Sequence, residues 1–191
     1  MAAGIIITVI GGVRSGKTSW SEQEAEAFQI AHNERRLVYL ASGVAFDKEM
    51  NDRIARHQKD RGKERWVTIE QPVKIGQAGE SLQQGDVVVW DCLTTWLANE
   101  SMDRSEALTG AQFRSYLHHE LDSLIQRAKS NLSICFIVSN EVLHEPVFEE
   151  GMTAHYQKNI GVLHQWLVQQ SDVAIEMEAG IPLIRKGKWP V

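Results

Sequence analysis

The chain has 191 residues, enough for one domain with a substantial hydrophobic core. Its hydrophobic content of 43% and charged content of 24% are ordinary for a globular protein, and its net charge of −5 argues against a surface that coats nucleic acid. No stretch is long enough to span a membrane, and the N-terminal apolar run lacks the flanks of an export signal, so a cytoplasmic protein is expected.

Residues 5–10, Ile-Ile-Ile-Thr-Val-Ile, read as a buried strand. Gly11-Gly12-Val13-Arg14-Ser15-Gly16-Lys17-Thr18 follows at once and matches G-x-x-x-x-G-K-[ST], a phosphate-cradling loop opening a helix over 18–32. Its glycines let backbone N–H groups turn toward phosphate oxygens, and the helix start adds its positive end. Lys17 can reach the β- and γ-phosphates, and the Thr18 hydroxyl can ligate Mg²⁺. Leu37–Ala41 is a short apolar strand ending at Ser42-Gly43, and a polar helix is expected from Asp47, as N-cap, to about Arg61. Trp66–Glu70 reads as a strand and Val73–Leu82 as a short helix.

Val87-Val88-Val89-Trp90 is another buried strand ending in Asp91, followed by helical patterns over 93–100 and 109–129. A strand over 133–138 ends at Ser139-Asn140-Glu141, a loop carries Pro146, and a helix is expected over 152–170. Strands at 173–177 and 181–185, joined by Ala179-Gly180, read as a closing hairpin. Cys92 and Cys135 fall in or beside apolar runs and read as small buried hydrophobes. The six tryptophans read as core and interface residues rather than a stacking platform. The alternation predicts an α/β fold of the P-loop NTPase type: a mostly parallel sheet flanked by helices, with a C-terminal β-hairpin, in a single nucleotide-binding domain over 1–191.

Ligands of such sheets collect beyond the carboxyl ends of the strands. That rule gathers Gly11–Thr18, Ser42, Asp91 and Asn140-Glu141 into one candidate site. Asp91, closing an apolar strand, is placed to hold Mg²⁺, the alternative being a helix-capping acid. His57 shares a helical stripe with Met50, Ile54 and Arg61, so packing alone would explain it. Arg53, Arg56, Lys59 and Arg61 surround it in sequence, however. Such cations favour a neutral, nucleophilic imidazole and could also neutralise a triphosphate.

Six ordered motifs resemble one family over nearly the whole chain. They are the Gly11–Thr18 loop, Tyr39-Leu40-Ala41-Ser42, Asp47-Lys48-Glu49-Met50 with Arg53-Ile54-Ala55-Arg56-His57, Trp66-Val67-Thr68-Ile69-Glu70, Asp91-Cys92-Leu93-Thr94-Thr95-Trp96-Leu97, and Val138-Ser139-Asn140-Glu141-Val142. The family is the bifunctional adenosylcobinamide kinase / adenosylcobinamide-phosphate guanylyltransferase of cobalamin biosynthesis. The resemblance implies phosphorylation of adenosylcobinamide by ATP or GTP, then transfer of GMP from GTP through a histidine–GMP intermediate, here at His57. It implies nucleotide or Mg²⁺ contacts from Gly11, Gly12, Val13, Arg14, Ser15, Gly16, Lys17, Thr18, Ala41, Ser42, Gly43, Gln58, Lys59, Asp60, Arg61, Glu70 and Asp91, and a homotrimer. Lys17 and His57 would be catalytic. The chain departs from the family pattern at Gln58, at Arg61-Gly62, along Leu143-His144-Glu145-Pro146-Val147-Phe148, and at Gln157, Val162 and His164. These departures bear on the corrinoid side. Retention of one activity alone, or a nucleotide-binding regulatory role without catalysis, are the competing readings.

Overall fold

The structure, a computed structural model, describes residues 3–32, 36–43, 65–104, 110–143 and 151–190. Its centre is a seven-stranded sheet in the order β3-β2-β4-β5-β1-β6-β7. The strands are β1 (Ile5–Gly11), β2 (Arg36–Ala41), β3 (Trp66–Glu70), β4 (Asp86–Asp91), β5 (Ile134–Asn140), β6 (Val173–Glu178) and β7 (Ile181–Lys186). All neighbouring pairs are parallel except β6–β7, which forms the expected antiparallel hairpin. Strands β1, β2, β4 and β5 lie inside the sheet and are almost wholly buried, so both of their faces are apolar. Edge strands β3 and β7 are largely exposed.

The helices are α1 (Lys17–His32), α2 (Leu93–Arg104), α3 (Gly110–Asn131) and α4 (Met152–Gln170). Side-chain alternation sends Ile7, Val9, Val87, Val89, Phe136 and Val138 toward α1, whose small Ser21 and Ala25 allow close approach to the sheet. Trp20 of α1 and Trp189 of the C-terminal tail, with ring centroids 5.3 Å apart, close this side. Ile6, Val38, Leu40, Val88, Trp90 and Ile137 point the other way, against α2, α3 and α4. There α3 contributes the stripe Phe113, Leu117, Leu121, Leu124 and Ala128, at helical spacing. Each buried leucine of that stripe contributes about 1.5–3 kcal/mol by leaving water.

Three expectations differ from the structure in detail. The short helix expected over 73–82 is present as a 3₁₀ helix, Ile75–Glu80, entered through Lys74 in the left-handed region at φ 52°. Its backbone is held from outside, because Lys74 N–H donates to buried Glu100 Oε1 and Gly76 N–H to Glu120 Oε2. The strand expected over 133–138 runs instead through Ser139 and Asn140, because it pairs with β1 as far as Gly11. Helix α2 also extends beyond residue 100 to Arg104, where Arg104 Nε donates to Glu100 Oε2. The helix expected over 47–61 lies outside the described residues, as do Thr109 and Pro146. Cys92 and Cys135 are both free and buried, and burial pushes the Cys135 thiol up to about 12.

Candidate nucleotide site

Six parallel strands end on one edge of the sheet, and the loop Gly11–Thr18 lies there. Gly11 pairs with Asn140 on one side and Met177 on the other, so β1 brings the loop between β5 and β6. A Cβ at Gly11 would stand 2.4 Å from the Met177 carbonyl oxygen and 2.7 Å from Ser15 Oγ, so the strand pairing itself requires glycine. The loop then turns through Arg14 at φ 62° and Gly16 at φ 88°. Ser15 N–H donates to the Gly12 carbonyl at 3.1 Å, and Trp20 N–H closes the first helical turn on Gly16.

Lys17 is buried to 7% exposure, and its ammonium donates to the Gly12 carbonyl at 3.0 Å. The Ser15 hydroxyl is buried with no hydrogen-bond partner among the described residues. A buried ammonium and an unpartnered hydroxyl in a loop at a helix N-terminus are donors suited to an anion. Val13, Arg14 and Gly12 face solvent at the mouth, and Thr18, half-buried, stands in the first turn of α1.

Asp91 ends β4 and, by alternation, follows Val87 and Val89 onto the α1 side of the sheet. Two strand spacings, roughly 10 Å, separate its strand from that of the loop. Tyr39 OH donates to Asp91 Oδ2 at 2.5 Å. On the opposite side of the sheet, Trp90 Nε1 donates to Ser42 Oγ at 2.7 Å, and Asn99 Nδ2 donates to the carbonyls of Ser42 and Pro72. Ser42 is wholly buried, so its hydroxyl serves to hold the end of β2. Ala41 pairs with both Asp91 and Glu70, which places exposed Glu70 on the same edge but four strand spacings, roughly 19 Å, from the loop strand.

Gly43, half-buried, is the last described residue before the segment that carries His57, Gln58, Lys59, Asp60 and Arg61; those five lie outside the described residues. The structure thus brings together Gly11–Thr18, Ala41, Ser42, Gly43, Glu70 and Asp91 on one edge.

Asn140, expected at this edge, is indeed there, and several contacts around it carried no signal in the sequence. Gly180 N–H of the hairpin turn donates to the Ser15 carbonyl at 3.0 Å, which makes the C-terminal hairpin a wall of the phosphate loop. Asn140 Nδ2 donates to Thr94 Oγ1 at 2.9 Å, Tyr156 OH donates to the Thr94 carbonyl, and Cys92 Sγ lies 3.1 Å from both Thr94 and Thr95 hydroxyls. Burial, with Asp91 adjacent, raises the Cys92 thiol above its ordinary range, so it stays an unreactive thiol. Burial also pushes the Tyr156 phenol up to about 12. His164 Nε2 lies 2.7 Å from Ser139 Oγ, and burial lowers its pKa against the opposing pull of Glu141.

Among the described residues no group of three or more His, Cys, Asp or Glu side chains could hold a metal by itself. A phosphate-bound Mg²⁺ needs only one or two protein ligands, and the Thr18 hydroxyl and Asp91 carboxylate suit that role. No described helix is long and apolar enough to cross a membrane.

Comparison with known proteins bears on this edge. The family described as "Cobinamide kinase / cobinamide phosphate guanyltransferase" matches residues 7–184. The bifunctional adenosylcobalamin biosynthesis protein CobP of Pseudomonas aeruginosa is 29% identical over 182 residues, covering 94% of this chain and 96% of that protein. Its counterpart CobU of Escherichia coli is 26% identical over 183 residues, covering 93% and 97%. Among solved structures, the flagellar accessory protein FlaH of Methanocaldococcus jannaschii superposes with a TM-score of 0.49 at 13% identity, covering 98% of this chain and 80% of its own, a likeness too distant to bear on function.

Proposed function

Because the chain belongs to the cobinamide kinase / cobinamide phosphate guanyltransferase family, we propose that it performs both reactions that this description names. In the first, the phosphate loop holds ATP or GTP and the hydroxyl oxygen of adenosylcobinamide attacks the γ-phosphorus: a P–O bond forms, the β–γ P–O bond breaks, ADP or GDP leaves, and the hydroxyl proton passes to solvent. In the second, an imidazole nitrogen of His57 attacks the α-phosphorus of GTP. A P–N bond forms, the α–β P–O bond breaks, and pyrophosphate leaves. A phosphate oxygen of adenosylcobinamide phosphate then attacks the same phosphorus, releasing His57 and giving adenosylcobinamide-GDP.

The observation that carries this reading is the convergence of buried Lys17, the unpartnered Ser15 hydroxyl, Thr18 and Asp91 on one sheet edge. In the kinase step little covalent chemistry falls to the protein, and in both steps positioning and charge stabilisation assist the in-line attack. Lys17 and the loop amides would fix the phosphates, Arg14 would stand at the mouth, and Thr18 with Asp91 would hold Mg²⁺, which supplies charge neutralisation when bound. Gln58, Lys59, Asp60, Arg61 and Glu70 would contact the nucleotide.

The test uses GTP labelled at the α-phosphate, with Mg²⁺. Acid-labile label on the denatured protein that vanishes in His57→Ala supports the guanylyltransferase. Protein that binds GTP yet stays unlabelled counts against it. A γ-labelled donor with adenosylcobinamide tests the kinase separately and exposes a chain that retains one activity alone.

A further inference from the structure

We infer that Tyr39 is a positioning residue for Asp91, restraining that carboxylate for a divalent cation held between it and the phosphate loop. The inference rests on the reading of Asp91 as a metal ligand. Tyr39 and Asp91 occupy adjacent parallel strands. Tyr39 pairs with Val89 and Ala41 with Asp91, so the phenol reaches one same-face step along the sheet to donate to Asp91 Oδ2 at 2.5 Å. The ring is packed at 8% exposure in the cluster with Leu37, Val87, Val89 and Phe136. A packed aromatic side chain has few rotamers, so the hydroxyl is a fixed donor.

The identity of the donor matters. No ion pair among the described residues involves Asp91. A lysine or arginine at this place would neutralise the carboxylate and compete with a cation, whereas a neutral phenol restrains it without bringing a competing positive charge. The bond engages Oδ2 and leaves Oδ1 as the oxygen for the metal. A single restrained oxygen also keeps the acid from swinging away into solvent, since Asp91 is only half-buried.

The experiment measures Mn²⁺ binding to the GDP-loaded protein by loss of the free-ion EPR signal, in wild type, Tyr39→Phe, Asp91→Ala and the double variant. Tyr39→Phe keeps the ring and should weaken Mn²⁺ by about fivefold to tenfold, while GDP affinity in EDTA stays at the wild-type value. In turnover, the half-saturating Mg²⁺ should rise by a similar factor with kcat at saturating Mg²⁺ unchanged. In the Asp91→Ala background, Tyr39→Phe should change nothing further. If Asp91→Ala weakens Mn²⁺ and Tyr39→Phe does not, the role given to Tyr39 is overturned and the metal reading of Asp91 stands. If neither variant alters Mn²⁺ binding, both fall. An equal loss of GDP affinity with and without metal would mark Tyr39 as merely structural and overturn the inference.

Discussion

Gly11→Ala is the sharpest probe of how the strand ladder shapes the phosphate loop. The added Cβ would lie 2.4 Å from the Met177 carbonyl oxygen, about 1 Å short of ordinary van der Waals separation. Ser15 Oγ, at 2.7 Å, can rotate away, but the Met177 oxygen belongs to β6, which is paired with Gly11 in the sheet. Either β6 moves off β1 or the entrance to the loop shifts by about the missing 1 Å. Overpacking of this kind costs about 1–3 kcal/mol, a fall of roughly 2–12 °C in Tm for a chain of this size. A 1 Å misplacement of positioned groups costs on the order of 100-fold in rate. Gly12→Ala is the control, because a Cβ there meets nothing within 4 Å. Its folding stability should stay within about 0.5 kcal/mol of wild type. Thermal melts of the nucleotide-free proteins and initial rates read the two effects separately. Gly11→Ala that melts and turns over like wild type, or Gly12→Ala that melts as low as Gly11→Ala, would refute the reasoning.

Lys17→Ala removes a buried charged donor and should weaken nucleotide binding by about 10- to 150-fold in isothermal titration, an unchanged affinity undoing the loop assignment. Glu100→Gln should cost about 3 kcal/mol in urea unfolding, because wholly buried Glu100 accepts from Lys74 N–H, Trp96 Nε1, Tyr116 OH and Arg104 Nε, and the amide offers only one acceptor; a loss under about 1 kcal/mol would show that this hub contributes little. Burial lowers His164 below its ordinary 6.5, so the unfolded chain takes up the proton first as pH falls. Stability present above 6.5 is therefore lost as pH falls from there toward the folded pKa, at up to about 1.4 kcal/mol per pH unit. His164→Gln should flatten that acid limb in urea melts, and equal slopes would remove His164 as its source.

What could be read from the chain depended on whether the determining contact was local. The loop Gly11–Thr18 is complete within eight residues, and its strand and helix announce themselves by apolar pattern, so its place was legible. The hairpin was legible as well, because Ala179 and Gly180 take the left-handed conformations that such a turn needs. Its contact with the loop was not: Gly180 N–H meets the Ser15 carbonyl 165 residues away, and nothing in either segment names the other. The 3₁₀ form of the short helix within residues 73–82 was hidden for a related reason. Their apolar spacing resembles a short helix, yet the carboxylates of Glu100 and Glu120 take the N–H groups of Lys74 and Gly76 and hold the backbone in a tighter turn.

Asp91 and Tyr39 show the same limit at the site itself. Alternation along Val87-Val88-Val89-Trp90-Asp91 tells which side of the sheet the carboxylate takes once α1 is known to cover Val87 and Val89. Tyr39, in Leu37–Ala41, reads by itself only as a core aromatic of a buried strand. Its hydroxyl becomes a donor to Asp91 through the pairing of Tyr39 with Val89, a property of two strands together. A slip of one residue would turn the ring to the opposite side and remove the donor, without changing the apolar character of either strand. The acid was therefore visible in the sequence as a candidate ligand, whereas the group that restrains it became visible only with the register.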